Sequence, residues 1–302
     1  MKRSPLTTQT PVEEVRPTTL VLTALALALI LWASAFVGIR AGLQAYSPGQ
    51  LALLRFLIAS TALLVYALIT RMRLPLLRDI PGLLLMGFVG ITIYHVALNY
   101  GEQSVSASAA SVLVATVPCF TALLATIFLR ERMRPLGWLG VIVSFIGVTI
   151  VVIGVSGGLH FTPDALLILL ASLAESVYFV MQKPYLKKYT GFELTTYTIW
   201  AATLCMLMYA PGLVHQIQAA SLDGTAAVVY LGIFPAAIAY AAWSYALSRM
   251  SASNTTSFLN IVPLLAALIA WLWLGEVPSL LSMLGGIIVI AGVALVNVRN
   301  RG

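Results

Sequence analysis

Charge is what this sequence has least of. Lys, Arg, Asp and Glu together make 9% of 302 residues, while 60% are hydrophobic. A soluble globular domain carries about 25% charged residues, so this chain cannot cover a water-facing surface. It has two cysteines, Cys119 and Cys205, both inside apolar runs, which excludes a disulfide framework. Its three histidines show no metal-ligand spacing. No Gly-x-x-x-x-Gly-Lys-Ser/Thr loop is present, so nothing in the chain would bind a nucleotide to drive work. Paired acidic clusters of the kind a membrane enzyme needs at its face are also missing, as is the ring of equivalent polar groups expected of a pore. No metal, cofactor or nucleic-acid partner is therefore expected.

Apolar runs long enough to span a bilayer take the place of charge. Ten can be marked: 18–39, 50–70, 80–101, 106–129, 136–155, 164–183, 194–212, 224–247, 252–274 and 280–298. Prolines or capping residues stand where several begin, at Pro48, Pro135, Pro163 and Pro278. Residues 1–17 are polar and read as a disordered cytoplasmic tail, and 299–302 as a second one. The first run follows without a small-residue cleavage site and reads as a retained span.

The distribution of basic residues fixes an orientation. Of the 17 Lys and Arg, 15 fall in the tails and even-numbered loops: Lys2, Arg3, Arg16, Arg71, Arg73, Arg78, Arg130, Arg132, Arg134, Lys183, Lys187, Lys188, Arg249, Arg299 and Arg301. Odd-numbered loops hold Arg40 alone, and Arg55 lies inside the second run. Positive residues collect on the cytoplasmic side, so both termini are expected there. This also accounts for the net charge of +7 without invoking nucleic acid.

The second half repeats the first. At an offset of 145, Tyr100 meets Tyr245, Ser106 meets Ser251, Pro118 meets Pro263, Glu131 meets Glu276, Gly140 meets Gly285 and Gly147 meets Gly292. The early runs align at about 142, Ala33 falling on Glu175. Five spans per copy make the second copy enter the membrane upside down. The expected fold is all-α and integral to the membrane: ten transmembrane helices in a 5+5 inverted repeat, the copies being 18–157 and 158–298.

Several motifs together resemble the EamA branch of the drug/metabolite transporter superfamily. They are Trp32, Ala33, Ser34, Ala35 and Phe36 in the first run; Pro48 with Leu54, Arg55 and Phe56; the Val-Pro…Leu-x-Glu pattern from Ala107 to Glu131 and again from Ala252 to Glu276; and the paired Gly140…Gly147 and Gly285…Gly292. The resemblance covers about Leu20 to Val298. It implies two EamA repeats, a cell-membrane location, and a secondary transporter that exports amino acids or other small metabolites. Related proteins import, or move sugars, nucleotides or drugs, and the motifs name no substrate. The expected partners are a small-molecule substrate and the lipid bilayer, with a monomer as one open reading of the oligomeric state.

Inside the runs only Arg55 and Glu175 are formally charged. A charge at mid-membrane costs about 2.5–3.5 kcal/mol on insertion scales, so such groups mark cavities or partners. Glu175 is read as a contact for a substrate amine or as a proton-coupling group; the competing reading is a buried carboxyl bonded to Ser34 or Tyr94. Arg55, near an outer face, is read as structural, its stem letting the guanidinium snorkel; binding a carboxylate is the alternative. Tyr94, His95 and Asn99 in the third run, Tyr240 and Trp243 in the eighth, Trp32 and Ser34 in the first, and Tyr178 and Gln182 on the face of Glu175 are the other candidates for the lining of a central cavity. His95 could relay protons with Glu175, or could simply be a hydrogen-bonded packing group. Pro118 and Pro263 are expected to bend the fourth and ninth helices as hinges or as architecture. Glu131 and Glu276 read as structural helix ends, and the paired glycines as sites of close helix packing.

Overall fold

The structure is a computed structural model that describes residues 18–128, 135–156, 162–250, 252–275 and 277–297. Among them the secondary structure is entirely helical: α1 (Thr19–Gly42), α2 (Pro48–Ile69), α3 (Ile80–Gly87), α4 (Tyr94–Gly101), α5 (Ala107–Val114), α6 (Val117–Phe128), α7 (Pro135–Ser156), α8 (Pro163–Tyr185), α9 (Gly191–Met206), α10 (Leu213–Ala219), α11 (Leu222–Leu231), α12 (Ala239–Arg249), α13 (Ala252–Ser257), α14 (Val262–Leu274) and α15 (Leu280–Asn297). The repeat's Glu131 and Glu276 lie outside the described residues.

Six continuous helical stretches are long and apolar enough to cross a membrane, and a seventh arises if α9 and α10, bent by 86°, count as one. Three more apolar helices are shorter. The starts follow from local chemistry. Thr18, Ser106 and Thr162 each cap the first turn of a helix through a side-chain oxygen. Thr190 and Glu193 form a reciprocal capping box that starts α9 at Gly191, three residues earlier than hydropathy suggested. The seventh run does not continue straight through 212: Gly212 adopts a left-handed φ of +80° and turns the chain into α10. Gln216 on α10 accepts a hydrogen bond from the Ser47 backbone, and Gln50 donates to the Pro211 carbonyl.

The bundle is inverted in polarity relative to a soluble protein. Large apolar side chains such as Ile142 and Ile146 on α7 and Leu268, Trp271 and Leu272 on α14 face outward, while Arg55, His95, Asn99, Glu175 and Gln182 are buried. That is the distribution a lipid solvent demands.

α7 lies along α15. A Cβ on Gly147 would sit 2.8 Å from the Gly285 carbonyl oxygen, and one on Gly292 would sit 2.7 Å from that of Gly140. Only glycine allows backbones to come this close. Gly140 opposite Gly292 and Gly147 opposite Gly285 means that the two helices run antiparallel. Ser144 ties the pair by donating to the Val289 carbonyl at 3.2 Å.

Pro118 and Pro263 stand where the fourth and ninth spans lose their regularity: Pro118 follows a turn at Ala115 and Thr116 inside the stretch Ala107–Phe128, and Pro263 follows a 3-10 segment, Phe258–Ile261. Two carbonyls that flank the turn at Ala115 and Thr116 also accept bonds from α8, Leu113 from Ser172 and Val117 from Ser176.

Two further irregularities match in position. A π-helical stretch, Phe88–Ile93, joins α3 to α4, and another, Gly232–Ile238, joins α11 to α12. Such segments are rare and concentrate at functional sites.

Candidate functional site

The π stretches deliver side chains to the centre of the bundle. Tyr94 and His95 follow the first, and Tyr240 follows the second. A cavity of about 30 Å³ lies between them, room for one or two waters. Its wall combines Trp32, Ala35, Phe36 and Ile39 of α1, Arg55 of α2, Tyr94, His95 and Leu98 of α4, Ser111 and Val114 of α5, Glu175 of α8, Tyr240 of α12, Leu259 of the 3-10 segment and Val262 at the start of α14. Both copies of the repeat contribute.

A hydrogen-bonded row crosses one wall. Nη1 of Arg55 lies 3.2 Å from His95 Nδ1, and His95 Nε2 lies 3.0 Å from the Tyr240 hydroxyl. Arginine carries only donors, so Nδ1 accepts. The His95 proton therefore sits on Nε2 and is given to Tyr240. The guanidinium also lies over the Phe56 ring, 5.5 Å from its centroid. Arg55 is 1% exposed, so its expected snorkelling is overturned: the side chain turns into the bundle. His95 has both ring nitrogens occupied by Arg55 and Tyr240, which leaves no direct bond to Glu175.

Glu175 is 3% exposed and forms part of the same cavity wall. Among the described residues none donates a hydrogen bond to its carboxylate. The expected partner Ser34 donates to the Leu31 carbonyl and pairs with the Tyr230 hydroxyl at 2.7 Å instead. A buried, unbonded carboxylate is costly unless something else meets it.

Aromatic rings close the site on one side. Trp32 packs against Tyr240 and Trp243 at centroid distances of 5.2 and 5.0 Å, and Trp243 packs against Phe179 at 4.9 Å. The Trp32 ring N–H donates to the Pro235 carbonyl at 3.2 Å, meeting a group within the second π stretch.

The structure thus brings Trp32, Tyr94, His95, Glu175 and Tyr240 to one cavity and adds Arg55. The other five candidates stand behind it. Ser34 faces Tyr230. Asn99 is fully buried and donates to the Pro48 carbonyl at 3.0 Å, tying α4 to the start of α2. Tyr178 shares a hydrogen bond with Thr198 at 3.0 Å and presses on Gly90, where a Cβ would come within 2.2 Å of its own. The Gln182 amide and the Trp243 ring N–H are buried with no partner among the described residues. Sequence reasoning missed both π stretches and the two serines of α8. A signal existed for the former: Gly90 and Gly232 match at the early offset, and Pro235 sits mid-run.

An apolar-faced helical bundle with a charged cavity sealed inside it is a multi-pass membrane protein. The chain belongs to the EamA-like transporter family, whose sequence profile matches residues 19–153 and again 163–298. It is 46% identical over 275 residues to the uncharacterized transporter YdfC of Bacillus subtilis, covering 90% of each chain. It is 42% identical over 280 residues to a probable terminal-alkyne amino-acid exporter of Streptantibioticus cattleyicolor, covering 92% of this chain and 94% of that one. A solved crystal structure only 19% identical superposes with a TM-score of 0.66, over 92% of this chain and 96% of the other. That likeness concerns the fold alone.

Proposed function

We propose that this protein is a secondary transporter of ten spans that exports amino acids or related small metabolites across the cell membrane by alternating access. The observation that carries this reading is the cavity itself. Side chains of opposite type, Arg55 from the first repeat and Glu175 from the second, line one buried site where the two repeats come together, as expected of an inverted-repeat transporter. The antiparallel approach of Gly140 to Gly292 and of Gly147 to Gly285 is what an axis in the membrane plane would produce. Positive residues in the even-numbered loops support a cytoplasmic side for both termini. The likeness to the probable terminal-alkyne amino-acid exporter of Streptantibioticus cattleyicolor supports the solute class. In its present form the cavity is smaller than any such solute, so its walls must move apart on one side at a time. A multidrug, nucleoside or uptake transporter of the same fold is the second reading, favoured by the aromatic wall of Trp32, Phe36 and Tyr94. A membrane enzyme or a channel is a distant third.

The test is efflux. Liposomes containing the purified protein are loaded with a mixed metabolite pool, and the external solution is identified by mass spectrometry, with and without a proton gradient. Loss of particular amino acids, absent from empty liposomes, supports the reading. Retention of every amino acid while nucleosides or amphiphilic amines leave would replace it with the second.

A further inference from the structure

The cavity wall carries a basic and an acidic side chain, Arg55 and Glu175, that do not pair with each other. Arg55 gives its one cavity-side bond to a neutral acceptor, His95, and its Nε has no partner among the described residues. Glu175 is bonded by none of them. No ion pair joins the two, although pairing would offset much of the cost of burying each charge. The site therefore holds its two poles apart.

We infer that Arg55 and Glu175 are the two ends of a clamp for a zwitterion: Arg55 receives the carboxylate and Glu175 the ammonium of an unmodified α-amino acid. The inference rests on the reading of this cavity as the transport site. Arginine suits its role, because the planar guanidinium presents several donors that match a carboxylate. His95 and Tyr240 act as positioning residues, fixing one edge of the guanidinium so that the remaining N–H groups point elsewhere. Trp32 and Phe36 supply apolar surface for a side chain. Because Arg55 belongs to the first repeat and Glu175 to the second, one bound solute links both halves. A solute with a single charge leaves the opposite pole without a partner in a buried site, and sites built this way reject such analogues strongly.

The experiment loads proteoliposomes with the common α-amino acids together with the N-acetyl derivative of each, which keeps only the carboxylate, and the amide, which keeps only the ammonium. Efflux above that of empty liposomes is measured for the parent, Arg55→Gln and Glu175→Gln. The parent should favour amino acids over both derivatives by on the order of 10²-fold. Arg55→Gln should erase the preference over the amide, and Glu175→Gln the preference over the N-acetyl form. A misfolded variant would lose all efflux without this crossed pattern, and the parent's own preference decides the matter in that case. If the parent moves amino acids and their derivatives equally, the clamp is overturned while amino-acid export stands. If it moves other metabolites but no amino acid, both fail together.

Discussion

The α7–α15 pair and the central cavity are built from the same duplication in opposite ways. In the pair the contacts come as symmetry-related couples: Gly140 faces Gly292 just as their counterparts Gly285 and Gly147 face each other, backbone against backbone. In the cavity the copies differ wherever it matters chemically. Glu175 falls on Ala33, His95 on Tyr240, and Arg55 has no arginine opposite it in α9. Duplication supplied a symmetric hinge-like seam; departures from symmetry supplied a site with a positive and a negative side. A solute with direction in its own charge can be held only by a site that has lost the symmetry of its scaffold.

That contrast can be broken most severely at Glu175. Replacing it with Gln keeps the shape and removes the charge, and a charged hydrogen bond is worth about 1.5–3 kcal/mol. Amino-acid efflux should therefore fall by about tenfold or more while the protein stays monodisperse in detergent; activity within about twofold of the parent would sink the role given to this carboxylate.

The seam should respond in the other currency. In Gly285→Leu the new Cβ would lie 2.6 Å from the Val151 side chain and 2.7 Å from the Gly147 carbonyl. Overpacking of this kind costs about 1–3 kcal/mol, to be read as a lower unfolding temperature, and the folded fraction should keep the parent's order of substrates. A changed order would mean that seam and site are not separable.

A subtler variant is Tyr240→Phe, which leaves His95 Nε2 without its acceptor. Hydrogen bonds between membrane helices measure about 0.6 kcal/mol on average and up to about 1.7, so KM should rise about threefold, and no more than about twentyfold, with kcat little changed. The smallest effect should come from Ser34→Ala. Its hydroxyl serves Tyr230 on the far side of α1, and efflux within about twofold of the parent is expected; a larger loss would move Ser34 back to the cavity.

The fold was far more legible in the sequence than the site. Helix positions follow from hydropathy, prolines and caps, which act locally, and the seam follows from glycines whose spacing repeats. The site depends on which way a side chain turns, and periodicity is blind to this where a helix is apolar on nearly every face. Asn99 and His95, four residues apart, both turn towards α2, but Asn99 reaches Pro48 at its start and His95 reaches Arg55 seven residues on, so of the two only His95 comes to the cavity. Arg55 was read as snorkelling because nothing in the sequence indicates that a neutral histidine waits for it inside. Pro118 and Pro263, by contrast, mark the irregular turns of their spans directly, because the missing N–H acts on the turn before it.

Those π stretches also act as spacers in a screw. Each holds an extra residue relative to an uninterrupted α-helix, and one residue of α-helix is about 100° of rotation. Because the wider turn takes that residue up, deleting a single position between Phe88 and Ile93 would let the third segment close up as a plain α-helix with His95 still turned towards Arg55, and the same deletion between Gly232 and Ile238 would leave Tyr240 facing His95. Each half of the protein thus carries one residue of backbone length to which the angular setting of the charged wall is indifferent.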